Sequence, residues 1–356
     1  MAGPFVISRP LRYGSPMDAA HDITRIRDMA EFQIRPGIVD FHGDGFERHL
    51  APRRGALRDL TEGLIALDAE LAANGITTAF LAQFWSWEGG MRGPEFARRL
   101  AGALRDARPQ LFTAMHMQLR VETHMIEDFD AIAAFVEEAG IRIVIFNDHL
   151  PHGPLSEGKR PPRLEGQALK AGRAPEAHWR YLQGLHERSP DVPAAVAALS
   201  AKLRALGVRI GSHDDATEAT RTRYRGLGAD IAEFPETIEA LGAANAAGDP
   251  VILGAPNVVR GSSHKKGLSA GEAVRAGRCD VLVSDYHYPA LRQAAWLLEA
   301  EGIDAWPLIS EHPARLLGLP DGEGDHCVFD TDHRVVGTLT KGRWSYMAAP
   351  LYEALR

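Results

Sequence analysis

Cysteine is scarce in this sequence. Cys279 and Cys327 stand far apart and in no Cys-x-x-Cys pairing, which excludes a disulfide framework and a thiolate metal site. No apolar run reaches the roughly eighteen residues of a membrane-spanning helix, and no basic-then-apolar leader opens the chain. A soluble, cytoplasmic protein with no membrane partner is therefore expected. A Gly-x-Gly-x-x-Gly run after the first apolar strand is also missing, which argues against a dinucleotide-binding open sheet. Positive charge is not in excess: the formal net charge is −7, so nucleic acid is not the expected partner. What is present is a 45% hydrophobic chain of 356 residues, enough for a large core, and 15 histidines whose placement matters more than their number.

A recurring unit organises the chain: an Ala-rich helix, a glycine, then a compact apolar strand. It appears as Ala73-Asn74-Gly75 into 76–80, Glu138-Ala139-Gly140 into 141–146, and Ala205-Leu206-Gly207 into 208–210. Gly226-Leu227-Gly228 into 229–234, Ala246-Ala247-Gly248 into 251–253 and Ala276-Gly277 into 280–283 continue it. Leu60, Leu64, Leu67 and Leu71 fall at helical spacing over 59–74, and a further helix is read over 94–107 before a strand at 111–121. With the strand that opens after Pro36-Gly37, the strands number eight. Continuous apolar strands alternating with helices predict an α/β fold, a (β/α)8 TIM-like barrel over 36–318. Segment 151–193, rich in proline, glycine and charge, breaks the rhythm and reads as an insertion over the active site, a lid or substrate loop. Short apolar pieces in 1–35 (Phe5-Val6-Ile7, Phe32-Gln33-Ile34) and 319–356 (Cys327-Val328-Phe329, Val335-Val336, Trp344-Ser345-Tyr346) predict a small β domain composed of the two terminal segments.

Chemistry in such a barrel sits at the C-terminal ends of the strands. The first strand ends on His42 and Asp44, two residues apart and so on one side of the chain. Later strands end on Gln83, Glu122, Asn147-Asp148-His149, His213-Asp214-Asp215, Glu233, Asn257 and Asp285. A ring of imidazoles and carboxylates with no interleaved Lys or Arg repels itself unless cations occupy it. His42, Asp44, His213 and Asp285 are therefore candidates for metal binding or catalysis, with Glu122 and His149 beside them; His124, His287 and His312 read as ordinary loop or helix-end residues. Basic residues cluster in three loops, Arg48-Arg53-Arg54, Lys159-Arg160-Arg163 and Arg260-His264-Lys265-Lys266, which together suggest a small anionic substrate.

These segments, in this order, resemble the amidohydrolase superfamily, and within it the diphosphatase family of carbon–phosphorus lyase phosphonate breakdown. The resemblance rests on Pro36-Gly37 through His42-Gly43-Asp44 and on to Pro52-Arg53, Leu119-Arg120-Val121-Glu122, Asp148-His149, Ser212-His213-Asp214-Asp215-Ala216-Thr217, Glu233-Phe234-Pro235-Glu236-Thr237, 254–264 and Ser284-Asp285-Tyr286. It implies hydrolysis of a ribosyl 5-triphosphate with release of pyrophosphate. It implies one or two divalent ions, most simply zinc, held by His42, Asp44, Glu122, His149, His213 and Asp285. Asp285 would be the catalytic base; from the basic clusters, Arg53, Arg260, His264 and Lys265 are expected to bind substrate. The chain departs from the family pattern at Gly43, Gly45, 150–153, Lys265-Lys266, Trp85 and Trp87. The two tryptophans and the altered loops suit an alternative, an amidohydrolase acting on a carbon–nitrogen bond of another anionic molecule; a binding protein that has lost its metals is a third reading. The sequence leaves a homo-oligomer open.

Overall fold

A proline and a glycine separate the two sheets of the molecule. Pro36 ends a strand of the smaller sheet, and the larger begins at Ile38, with Gly37 between them where a Cβ would run into Thr77. The computed structural model describes residues 16–51, 59–261, 268–319 and 324–356, so the piece Phe5-Val6-Ile7 lies outside the described residues. The smaller sheet pairs β1 (Phe32–Pro36) with β10 (His326–Asp330), β11 (Val335–Thr340) and β12 (Arg343–Met347), all antiparallel. The expected terminal pieces thus meet, Ile34 opposite Val328 and Thr338 opposite Tyr346. Helices Pro16–Arg27 and Ala349–Leu355 add Ile23, Ile26 and Leu351 to its core of Val328, Val336, Leu339 and Trp344.

The larger sheet runs in chain order through β2 (Ile38–Gly43), β3 (Ile76–Trp85), β4 (Ala114–Glu122), β5 (Ile143–Asn147), β6 (Arg209–His213), β7 (Ile231–Glu233), β8 (Val251–Gly254) and β9 (Val281–Val283), every pair parallel. A parallel bridge between Gly43 and Asp285 joins the last strand to the first. Val39, Phe41, Phe80, Ile143, Ile145, Ile231, Ile252, Val281 and Val283 pack together inside, so the barrel is a filled core rather than a pore. Helices cover the outside. The one over Leu60–Ala73 buries Leu60, Leu64, Leu67 and Leu71, starts on the Asp59 side chain accepting from Thr61 N–H, and ends before Gly75, whose φ is +80°. Pro94–Ala107 opens on its proline, where no N–H is missed, and buries Phe96, Leu100 and Leu104. Among the described residues no helix is long and apolar enough to cross a membrane.

The 151–193 segment is helical where its prolines and glycines suggest loop. Helices His152–Ser156, Leu164–Lys170 and Pro175–Glu187 precede the barrel helix Val192–Ala205. Prolines 175 and 193 sit in first turns, which they favour rather than break. Leu155, Leu164, Trp179 and Leu182 form their own core against Trp87 and Leu150, beyond the ends of β3 and β5.

Gly43 and Gly45, where the chain departs from the family pattern, are packing positions. A Cβ at 43 would lie 2.7 Å from Asp40 Oδ2, 2.9 Å from the Tyr288 ring and 3.0 Å from Ser284 Oγ; one at 45 would meet Arg48 and Tyr288. Gly43→Ala is therefore expected to cost about 1–3 kcal/mol through overpacking. Gly184→Ala, mid-helix with open space around it, should stabilise by about 0.5–1 kcal/mol. Denaturant midpoints of the two variants should move in opposite directions from wild type.

Candidate active site

Barrel closure brings the first and last strand ends together. Asp285 N–H donates to His42 carbonyl at 3.0 Å, and Asp44 N–H donates to Asp285 carbonyl at 2.8 Å. Asp40, fully buried, accepts from Ser284 N–H at 3.0 Å and from its hydroxyl at 2.6 Å. His42, at the end of β2, then stacks at 5.9 Å on His213, the last residue of β6, and His213 lies 6.0 Å from His149 beyond β5. Ligand atoms of His149, His213 and Asp214 all fall within 4.8 Å of one another. A cavity of about 310 Å³ opens over His213 and Asp214, lined also by His42, Arg120, Arg260 and Asp285. A larger cavity, about 1080 Å³, lies at the opposite end around Gly37, His116 and Arg142, where strands begin; among the described residues no group of three metal-ligating side chains converges there.

Two buried glutamates face the imidazoles at the same nitrogen, hydrogen-bonding those of His149 and His213 and lying at ion-pair distance from that of His42. Glu122 Oε1 is 2.6 Å from His149 Nδ1, and Glu233 carries Oε2 2.8 Å from His213 Nδ1 and Oε1 3.0 Å from His42 Nδ1. Gln118 also donates to Glu233 Oε1, at 2.9 Å. Each ring thereby turns Nε2 away from its glutamate, the arrangement by which carboxylates orient metal-binding histidines. The donor set fits a divalent cation of the zinc class. Glu122, expected as a ligand, has both oxygens engaged by protein donors: Oε2 accepts from His149 N–H at 3.1 Å and from Trp87 Nε1 at 3.3 Å. Glu233 holds two of the rings, a role that strand-end reading alone does not distinguish from a ligand's.

Electrostatics follow from this wiring. Burial, helped by the charge of Arg120, holds His213 down to about 4, so it is neutral at physiological pH. Burial opposes charging His42 and His149 as well, but Glu233 and Glu122 respectively outweigh it and raise both. Burial pushes Asp285 up to about 6 against the pull of His42, with Asp44 adding to the rise.

Arg120 corrects the expectation of a ring without interleaved cations. It is 5% exposed, donates to Asn147 Oδ1 at 2.8 and 3.1 Å, lies 4.1 Å over the Phe84 ring, and feels the charges of Glu233, Asp214 and Asp44. Strand alternation could have found it, because Gln118, Arg120 and Glu122 share one face of β4. Three residues just past strand ends hold left-handed backbone, Asp214 at φ 57°, Phe234 at 53° and Asp285 at 55°. Such strain gathers at functional sites.

Other expected participants lie elsewhere. Trp85 donates to Asp128 at 2.8 Å and packs on Phe135, and Trp87 is 1% exposed; neither lines the cavity. Of the basic clusters, Arg260 reaches the cavity and donates to the Tyr286 hydroxyl at 2.5 Å. Arg48 donates to the Tyr286 carbonyl at 3.2 Å, while Lys159 and Arg160 pair with Glu157 and Glu176 on the insertion. Arg53, Arg54, His264, Lys265 and Lys266 lie outside the described residues. Glu233→Gln, which keeps shape but removes the charge facing two imidazoles, is expected to weaken divalent-metal affinity by about 10- to 100-fold. Competition with a chelator of known affinity measures it.

No family model matches the chain. It is 28% identical over 330 residues to the alpha-D-ribose 1-methylphosphonate 5-triphosphate diphosphatase of Escherichia coli, covering 85% of this chain and 83% of that protein. In fold it is similar to the ochratoxinase of A. niger, with a TM-score of 0.53 and 12% identity over 88% of this chain and 83% of the other. An N-acetyl-D-glucosamine-6-phosphate deacetylase from Mycobacterium smegmatis aligns with a TM-score of 0.47 and 16% identity, over 89% and 87% of the two chains. The likeness to the diphosphatase in sequence, and to the ochratoxinase in fold, thus extends over most of the chain.

Proposed function

We propose that the protein is a metal-dependent diphosphatase of phosphonate metabolism, releasing pyrophosphate from a ribosyl 5-triphosphate, α-D-ribose 1-methylphosphonate 5-triphosphate or an analogue. One observation carries the reading: His42 and His213, both facing buried Glu233 through Nδ1, meet Arg120, Arg260 and Asp285 around a single cavity at the strand ends, with the His149 ring 6.0 Å from His213. The sequence likeness to the E. coli diphosphatase supports the substrate class. The carbon–nitrogen alternative loses the tryptophans that favoured it, since both are committed to packing.

His42, His149 and His213 would hold one or two divalent ions, with Asp44, Asp214 and Asp285 as carboxylate donors. When bound, such an ion acidifies water toward a pKa of about 7 and offsets phosphoryl charge. Asp285 takes a proton from the attacking water and passes it toward the leaving group. Oxygen of that water bonds to the phosphorus nearest the sugar, and the bond from that phosphorus to the bridging oxygen breaks, leaving pyrophosphate. Arg120 and Arg260 balance negative charge on the substrate; Arg120 does so with its guanidinium already fixed by Asn147, which limits reorganisation during reaction.

Asp285→Asn should fold, because asparagine tolerates the left-handed backbone at this position. It should bind metal and lower kcat by about 10²- to 10⁴-fold; near wild-type kcat removes Asp285 from the mechanism. The basic form of Asp285 is the active one, so wild-type kcat/KM should fall with decreasing pH at or below about 6, and the residual activity of the variant should lack that limb. Chelator treatment should abolish pyrophosphate release from ribosyl triphosphates, and zinc should restore it. Turnover of an amide panel with no release from any triphosphate would transfer the reading to carbon–nitrogen hydrolysis.

A further inference from the structure

Asp148 and His149 are neighbours beyond β5 that serve different places. His149 turns to Glu122, whereas Asp148 turns to His124 and His152. His152 Nε2 lies 2.9 and 3.1 Å from the two Asp148 oxygens, and His124 Nδ1 lies 3.5 Å from Asp148 Oδ1 and 3.4 Å from Thr123 Oγ1. One ligand atom from each of His124, Asp148 and His152 falls within 4.8 Å of the others. We propose that these three side chains form a second divalent-metal site, for a cation of the zinc class, distinct from the hydrolytic centre.

The chemistry of the donors supports this. Two imidazole nitrogens and one carboxylate oxygen are a borderline-soft set, and bonds of about 2.0–2.2 Å would place such atoms roughly 3.3–3.6 Å apart, inside the spread observed. The nitrogens not offered to the cation have partners of their own. His152 Nδ1 is 2.9 Å from His186 Nδ1, and His124 Nε2 is 3.1 Å from Ser189 Oγ, whose hydroxyl donates to the His186 carbonyl at 2.6 Å. Each ligating ring is thus oriented through its other nitrogen. His124 and Asp148 come from barrel strand ends, while His152, His186 and Ser189 come from the 151–193 segment. A bound ion would clip that segment onto the catalytic end of the barrel.

Stoichiometry tests the site independently of hydrolysis. Full-length wild type, a His124→Ala/His152→Ala double variant and a His213→Ala variant are stripped with chelator, reloaded with Co²⁺, and analysed for metal content and visible absorption. The double variant should hold one equivalent fewer than wild type, and His213→Ala should keep the cobalt bands that the double variant loses. Equal metal content in wild type and double variant overturns the proposal. Where circular dichroism shows the double variant unfolded, His152→Gln replaces it and should weaken cobalt binding at these bands by more than about tenfold; unchanged affinity overturns the proposal equally. Because the count is a difference between wild type and a variant altered only at this site, the result does not depend on whether the hydrolytic reading holds.

Discussion

Everything at the catalytic end depends on how the barrel closes. The Asp285 backbone exchanges hydrogen bonds with His42 and Asp44 on the first strand, and Asp40 grips Ser284 beneath them. These bonds are buried, so losing one partner would leave a desolvated polar group rather than a hydrated one. They also set the spacing of the chemistry, because the residue that completes the ladder is the one whose carboxylate enters the cavity. Gly43, Ser284 and Tyr288 are small, polar and large in turn to fill what remains around this joint.

A second constraint acts across the barrel. Glu233 is wholly buried and carries a charge that its contacts with His42, His213 and Gln118, and the nearby Arg120 guanidinium, make tolerable. Its carboxyl is held well below the usual range by those partners despite burial. Replacement by an apolar residue of like volume could be neutral for stability. Its retention makes sense as orientation of two rings by one side chain.

Much of the architecture was legible because it rests on local rules. Leucine spacing marked the helix that ends at Gly75, and glycine-then-apolar runs marked the later strands, within a few residues. The terminal strands were legible singly, and Ile34 opposite Val328 was the natural pairing for two short apolar pieces. The 151–193 helices were not, since their prolines occupy first turns and read as breakers without that register. At the site, residue type at strand ends pointed to His42, His149, His213 and Asp285. What it could not give was division of labour. Glu122 and Glu233 look like ligands in one dimension, and only in three do their short distances to imidazole Nδ1 atoms appear. Arg120 was visible through alternation with Glu122, but charge counting confined to strand ends passed over it.

Phe234 shows how a cost in one place conditions another. Its ring meets His42 at 5.2 Å and His213 at 5.1 Å, both nearly perpendicular, from a backbone conformation that a bulky residue rarely accepts. An aromatic wall beside both imidazoles lowers the local dielectric in which Glu233 acts on them. Coulombic interactions there are several-fold stronger than at a wet surface. The polarity of the site is therefore governed in part by a residue with no charge, which the left-handed turn after β7 sets against both rings.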